Sequence, residues 1–191
     1  EICPDISARP GAPEGSVLYR DNELDDEGSY FTRDPELFRD SLIVCRNNAP
    51  LFRAILGHFR AKSPCRILTN FLESFQGFVR GFNVQSTTEL ISRLETWFAN
   101  EKEAAEKKGF RGKVEYLRDK YETTKLLASE FKTVEDMLTA VRRLAECQTG
   151  PTFATIHKAK GLEHENVYIL RPDTMPSSFA ITKEQKQQEQ N

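Results

Sequence analysis

Short apolar runs, each too brief for a stable helix, limit the folds open to this chain. They are SVLYR at 16–20, LIVCR at 42–46, CRILT at 65–69, TFATIH at 152–157 and NVYILR at 166–171. Short runs rich in Val, Ile and aromatic residues predict strands, and strands that are apolar throughout are typical of parallel sheets. Helical patterns at 35–41 and 49–62 separate the first three runs, and this alternation predicts βαβ units.

Between the third and fourth runs the apolar residues recur with the period of a helix. Amphipathic patterns cover 71–82, 89–109, 113–131 and 134–147. Thr87 or Thr88 is expected to cap the second of these helices, Gly109 to end it, and Thr133 to cap the last. The predicted class is therefore α/β, a parallel sheet flanked by helices and interrupted by an all-helical insertion at 71–149.

The aromatic residues of this insertion are expected to pack rather than to bind. Phe71, Phe75, Phe78 and Phe82 follow helical spacing, which favours a core face over a platform for stacking bases, and Trp97 is expected in helix packing. The mixed-charge stretch at 102–113 predicts a solvated turn, although its lysines and arginines leave contact with duplex DNA or a partner protein open.

Composition excludes several classes of function. The chain has 27 basic and 29 acidic residues, so net charge predicts no general attraction to nucleic acid, while a local basic patch is allowed. No apolar run approaches membrane-spanning length and no signal-peptide pattern opens the chain, so we expect no membrane association and a cytoplasmic or nuclear location. Because the sequence begins with Glu1, we interpret it as a fragment.

The cysteines and histidines form no metal-ligand pattern. The four cysteines are scattered without a C-x-x-C pair, and none of the three histidines clusters with them. Cys45 and Cys65 lie in apolar runs and are expected to be buried thiols, which suits a reducing compartment.

The stretch from Thr155 to Glu163 concentrates polar side chains where a predicted strand ends. Ligands of open parallel sheets bind beyond the carboxyl ends of the strands. Gly161 allows close backbone approach to a ligand, and Lys160 adds positive charge. Each residue alone is better explained as part of a solvated turn, and His157 alone as a core histidine.

Taken as one string, TIHKAKGLEHENVYIL resembles motif V of UvrD/Rep-type superfamily-one DNA helicases, T-x-H-x-x-K-G-L-E followed by an apolar strand. The matching positions are Thr155, His157, Lys160, Gly161, Leu162 and Glu163. His164 departs from the pattern, because the family usually has an aromatic residue there. LIVCRNNAP resembles the family's strand and loop A-V-L-x-R-T-N-A-Q-S at Arg46, Asn48 and Ala49, and MPSS at 175–178 resembles the approach to motif VI.

The resemblance implies that residues 1–70 and 150–191 form most of a second RecA-like motor domain, ending before motif VI, with 71–149 as an accessory subdomain. It implies that Thr155, His157, Arg46 and Asn48 contact single-stranded DNA. Glu163 would bind the ribose of ATP, with Lys160 and Gly161 near the phosphates. ATP and Mg²⁺ would also require a first motor domain, because the sequence contains no G-x-x-x-x-G-K-[ST].

The expected function is therefore that of an ATP-dependent DNA helicase or translocase, of which this fragment alone would be inactive. Two alternatives stay open. One is an inactive scaffold derived from such a motor, which binds a protein partner through the insertion. The other is an isolated domain that binds nucleotide or single-stranded nucleic acid without the rest of a motor.

Overall fold

A computed structural model of the chain shows an α/β fold built on one parallel sheet. The structure describes residues 38–174 and residue 183. The strands are β1 (Ser41–Cys45), β2 (Arg66–Leu68), β3 (Thr152–Thr155) and β4 (Asn166–Leu170). The sheet order is β2-β3-β1-β4, and all three pairings are parallel.

Helices connect these strands. They are α1 (Asn48–Arg60), α2 (Phe71–Arg80), α3 (Thr87–Lys107), α4 (Arg111–Ser129), α5 (Val134–Glu146) and the one-turn α6 (Ile156–Ala159). The expected strands and helices between 42 and 171 are thus confirmed, with boundaries shifted by a few residues. The predicted strand at 16–20, the first three residues of the helix at 35–41, and the stretch from 175 apart from residue 183 lie outside the described residues.

Two local predictions for this region need correction. Ser86, rather than Thr87 or Thr88, caps α3, because its side chain accepts a hydrogen bond from the Thr88 N–H. The run at 152–157 is not all strand, because β3 ends at Thr155 and α6 begins at Ile156. Thr133 caps α5 as predicted, accepting from the Asp136 N–H.

One apolar core joins the sheet to the helices between β2 and β3. Ile43, Ile67 and Phe153 of the sheet belong to the same buried cluster as Leu90 and Leu127 of the insertion. The predicted aromatic packing is confirmed, since Phe71 and Phe75 are buried, Phe78 and Phe82 pack against the same cluster, and Trp97 contacts Phe78 edge-on. The insertion therefore shares its hydrophobic stabilisation with the sheet.

The opposite face of the sheet carries a smaller cluster. Leu42, Val44 and Ala154 are buried there, with Ile156 and Ala159 of α6 packed against them. Strand alternation places Val167 and Ile169 of β4 on this face, where each is 51% exposed. Among the described helices, none combines the length and apolar character needed to span a bilayer.

The backbone at Gly150 lies very close to the backbone of Pro64. The φ of Gly150 is +84°, and a Cβ built on it would lie 2.2 Å from the carbonyl oxygen of Pro64. That contact sits beside the hydrogen bond from the Arg66 N–H to the Pro151 carbonyl, so the close approach is where β2 and β3 begin to pair.

We expect Gly150→Ala to lower the free energy of unfolding by about 3 kcal/mol, since it combines left-handed strain with a backbone clash. Gly161→Ala is the matched control, because Gly161 has φ +85° but nothing within 4 Å of its Cβ position. It should cost only about 1 kcal/mol. Urea denaturation of both variants measures the difference, and equal losses would contradict the clash.

His58 is a buried ionisable residue that makes the stability of the fold depend on pH. Its side chain is fully buried against Phe153, and both ring nitrogens lack a hydrogen-bond partner within the described chain. Burial lowers the pKa of His58 from 6.5 to about 4, so the folded state holds the ring neutral.

Between pH 6.5 and about 4 the unfolded chain binds a proton at His58 and the folded chain does not, so stability falls as pH falls. We expect this residue alone to remove about 3 kcal/mol of stability across that window. The variant His58→Leu should lack this component. Urea denaturation of both proteins at pH 7 and pH 4 tests it, and parallel pH profiles would show that His58 is not held neutral.

Candidate nucleic-acid and nucleotide site

Parallel pairing brings the ends of β1 and β3 to one edge of the sheet. Cys45, the last residue of β1, pairs with Thr155 on one side and with Leu170 on the other. Neighbouring strands lie about 4.8 Å apart, so Arg46 leaves the sheet next to Thr155. We call this the carboxyl edge.

The four residues expected to contact DNA all lie at the carboxyl edge. Arg46 and Asn48 are half-buried in the turn from β1 into α1, Thr155 is 8% exposed at the end of β3, and His157 is exposed on α6. His157 is thus on a helical turn rather than on a strand, which aims its imidazole outward instead of into the core. The expectation of a core histidine for the isolated residue is wrong.

The residues expected to bind nucleotide do not all lie at the carboxyl edge. His164 Nδ1 lies 3.1 Å from the carbonyl oxygen of Asp40, and Asp40 precedes the first residue of β1. Glu163 therefore lies towards the amino ends of the strands, roughly 13 Å along the sheet from the carboxyl edge. The structure does not bring Glu163 to the side chains of Thr155 and Arg46.

The segment from α6 to β4 connects these two places. Lys160 and Gly161 lie between them, and both are exposed, as is Glu163. The positive φ of Gly161, +85°, turns the chain after α6, and the Leu162 N–H donates to the Ala159 carbonyl at 2.9 Å. Because all three are exposed, these residues form an open surface.

Asp119 is a residue of this edge that sequence reasoning missed. It lies on α4, yet its carboxylate accepts from the backbone N–H groups of Asn48 at 3.0 Å and of Ala49 at 2.9 Å. It also accepts from Asn48 Nδ2 at 2.8 Å. A lone acid within an amphipathic helix pattern carries no signal of this kind, because its partner is 71 residues away.

Thr69 extends the same network to β2. Its hydroxyl donates to Asn48 Oδ1 at 2.5 Å and accepts from the Phe71 N–H at 3.1 Å. The side-chain oxygen and one amide hydrogen of Asn48 are thus held within the protein. Among the described residues, the second hydrogen of its amide has no partner and can donate to a ligand. Asn48 therefore orients the turn and can also contact DNA.

The ionisable groups around the edge include one buried thiol and two ion pairs. Burial raises the pKa of the Cys45 thiol to about 11, so it is not a nucleophile at neutral pH. Beyond β4, Arg171 holds Asp173 through two hydrogen bonds of 2.8 and 2.7 Å, and this lowers the pKa of Asp173. The Nζ atom of Lys158 lies 3.4 Å from Oε1 of Glu73, and the two form an ion pair.

Within the described residues, no three His, Cys, Asp or Glu side chains converge as ligands of a metal ion. Cys45 and Cys65 are buried free thiols, as predicted. No protein-family model, curated protein or solved structure matches this chain.

Replacing Thr69 with Val should remove both of its hydrogen bonds and leave Asn48 Oδ1 without a donor, which costs about 2 kcal/mol of unfolding free energy. Thr96→Val is the control, because exposed Thr96 bonds only to the Ser92 carbonyl of its own helix. It should change stability by less than about 0.5 kcal/mol. Equal effects in urea denaturation would show that Thr69 does not support the turn.

Proposed function

We propose that this chain is part of the second, RecA-like motor domain of an ATP-dependent DNA translocase or helicase. The observation that carries the proposal is the string from Thr155 to Glu163, which begins at the carboxyl edge beside Arg46 and runs to the other end of the sheet. A four-stranded parallel sheet flanked by helices is compatible with this layout.

At the carboxyl edge the chemistry suits the backbone of a single DNA strand. The Thr155 hydroxyl, the His157 imidazole and the Arg46 guanidinium are all donors to phosphate oxygens, and none of them reads a base. Asn48 can add the free hydrogen of its amide. The edge would therefore hold the strand without sequence preference, as a translocase requires.

At the other end of the segment, the Glu163 carboxylate would accept hydrogen bonds from the ribose hydroxyls of ATP. Lys160 and the open backbone at Gly161 would lie near the phosphates. ATP and Mg²⁺ also need a phosphate-binding loop, which a first motor domain would supply. Because one short segment joins both sites, closure around ATP could shift α6 and change the contact with DNA.

The scaffold alternative has one observation in its favour. Phe110 is 57% exposed and Tyr116 is 60% exposed at the start of α4. These two exposed aromatic side chains are candidate contacts for a protein partner. An inactive scaffold would use this surface and would not turn over ATP.

The decisive experiment measures ATP hydrolysis by the protein that joins this chain to a first motor domain, with and without single-stranded DNA. We expect turnover stimulated by the strand, and a loss of at least tenfold in Glu163→Ala, since an interaction with bound nucleotide is removed. Glu165→Ala is the matched control, because Glu165 is an exposed glutamate two residues further along the same segment.

The outcomes separate the candidate functions. Turnover that falls in Glu163→Ala and not in Glu165→Ala supports the motor. Absence of turnover in a folded protein contradicts the motor and favours the scaffold. Stimulated turnover that is equal in both variants keeps the motor but removes Glu163 from the nucleotide site.

A further inference from the structure

Helix α4 of the insertion holds helix α1 at both of its ends. At the start of α1, Asp119 accepts the backbone N–H groups of Asn48 and Ala49. At its end, Arg60 forms a two-point ion pair with Glu130, directly after α4, with Arg60 Nε 3.1 Å from Glu130 Oε2. Phe59 and Phe131 contact each other beside this ion pair, with ring centroids 5.6 Å apart.

The spacing of these contacts shows that α1 and α4 run side by side in the same direction. Asp119 and Glu130 are 11 residues apart, and Asn48 and Arg60 are 12 apart. At a rise of about 1.5 Å per residue, the two spans are roughly 17 and 18 Å. The match in length lets both carboxylates reach their partners without bending either helix.

We call the two sets of contacts, those of Asp119 and those of Glu130, the α1–α4 clamp. They differ in how much they stabilise α1. Asp119 meets the positive end of the α1 dipole in a partly buried place, where a carboxylate stabilises the unpaired N–H groups. The Arg60 side chain is 49% exposed and that of Glu130 is 19% exposed, so solvent screens the charge of Arg60 in this ion pair. Asn47 is the N-cap residue of α1, but its side chain makes no capping hydrogen bond. Asp119 caps the helix instead, although it is 71 residues from Asn48 in the sequence.

The residues that Asp119 holds are those of the carboxyl edge. Asn48 is a candidate DNA contact, and Arg46 lies two residues before it in the same turn. Through Asn48, the network reaches Thr69 at the end of β2. A shift of α4 would thus release the amide groups that define the shape of this turn.

We propose that Asp119 is the positioning residue of the carboxyl edge, through which the helical insertion sets the affinity of that edge for single-stranded DNA. The affinity part of this inference rests on the proposed function, whereas the positioning part does not. Asp119 itself would not contact nucleic acid, because its two oxygens accept hydrogen bonds from the start of α1. A partner that displaced α4 would weaken the grip on DNA without touching the DNA contacts.

The test compares the wild-type chain with Asp119→Asn and with the control Glu130→Gln, which removes the charge at the other end of the same clamp. Asp119→Glu keeps the charge but moves the carboxylate by one methylene, and it serves if Asp119→Asn does not fold. Amide hydrogen exchange by NMR is read at Asn48 and Ala49. Binding of a fluorescein-labelled oligothymidylate is read by polarisation at low salt.

We expect exchange at Asn48 and Ala49 to be roughly tenfold faster in the Asp119 variant, as the loss of a helix cap predicts, and unchanged in Glu130→Gln. Affinity for the oligothymidylate should fall by about tenfold in the Asp119 variant alone, a loss of about 1.4 kcal/mol. Exchange that accelerates equally across the whole core would indicate global destabilisation and overturn a local role.

Other outcomes overturn separate parts of the argument. Unchanged exchange at the two amides overturns the positioning role. Tighter binding of the oligothymidylate by Asp119→Asn would overturn the effect on affinity, because the carboxylate would then only repel the strand. Unchanged binding together with faster amide exchange would overturn the link between the position of the turn and its affinity. If the wild-type chain does not bind the oligothymidylate, the proposed DNA site of this chain fails, and the exchange data still decide whether Asp119 positions the turn.

Discussion

The first backbone N–H groups of α1 point out of the helix and have no carbonyl partner within it, and the rest of the carboxyl edge depends on how they are satisfied. Asp119 accepts two of them. Because the turn from β1 into α1 is short, the position of these amides also decides where Arg46 and Asn48 lie. A single carboxylate thereby ties the helical insertion to the edge of the sheet.

Close packing makes that tie possible. Thr123 and Thr124 are fully buried on α4, and each donates its hydroxyl to a carbonyl of its own helix four residues back. These hydroxyls need no partner from another element, so both threonines are buried with their hydrogen bonds satisfied where α4 meets the core. Leu127 and Ala128 continue the same buried surface.

The residues expected to bind DNA and Glu163, which is expected to bind nucleotide, lie at opposite ends of the sheet, and one continuous segment of chain joins them. Thr155 and His157 stay at the carboxyl edge, while His164 reaches the carbonyl of Asp40 at the other end of β1. The intervening segment lies on the face of the sheet that carries the smaller apolar cluster. In the proposed motor, this segment would transmit a change at one binding site to the other.

The sequence by itself determined the α/β class, the order of the described strands and helices, and the placement of Thr155 at the carboxyl end of a strand. Those features follow from local periodicity and from the rule that parallel strands end at one edge. The capping of α1 by Asp119, the bond from Thr69 to Asn48 and the separation of Glu163 from Thr155 were decided only by tertiary structure. Each depends on contacts between residues that are distant along the chain, or on the path of a short loop, and neither leaves a periodic signal in the sequence.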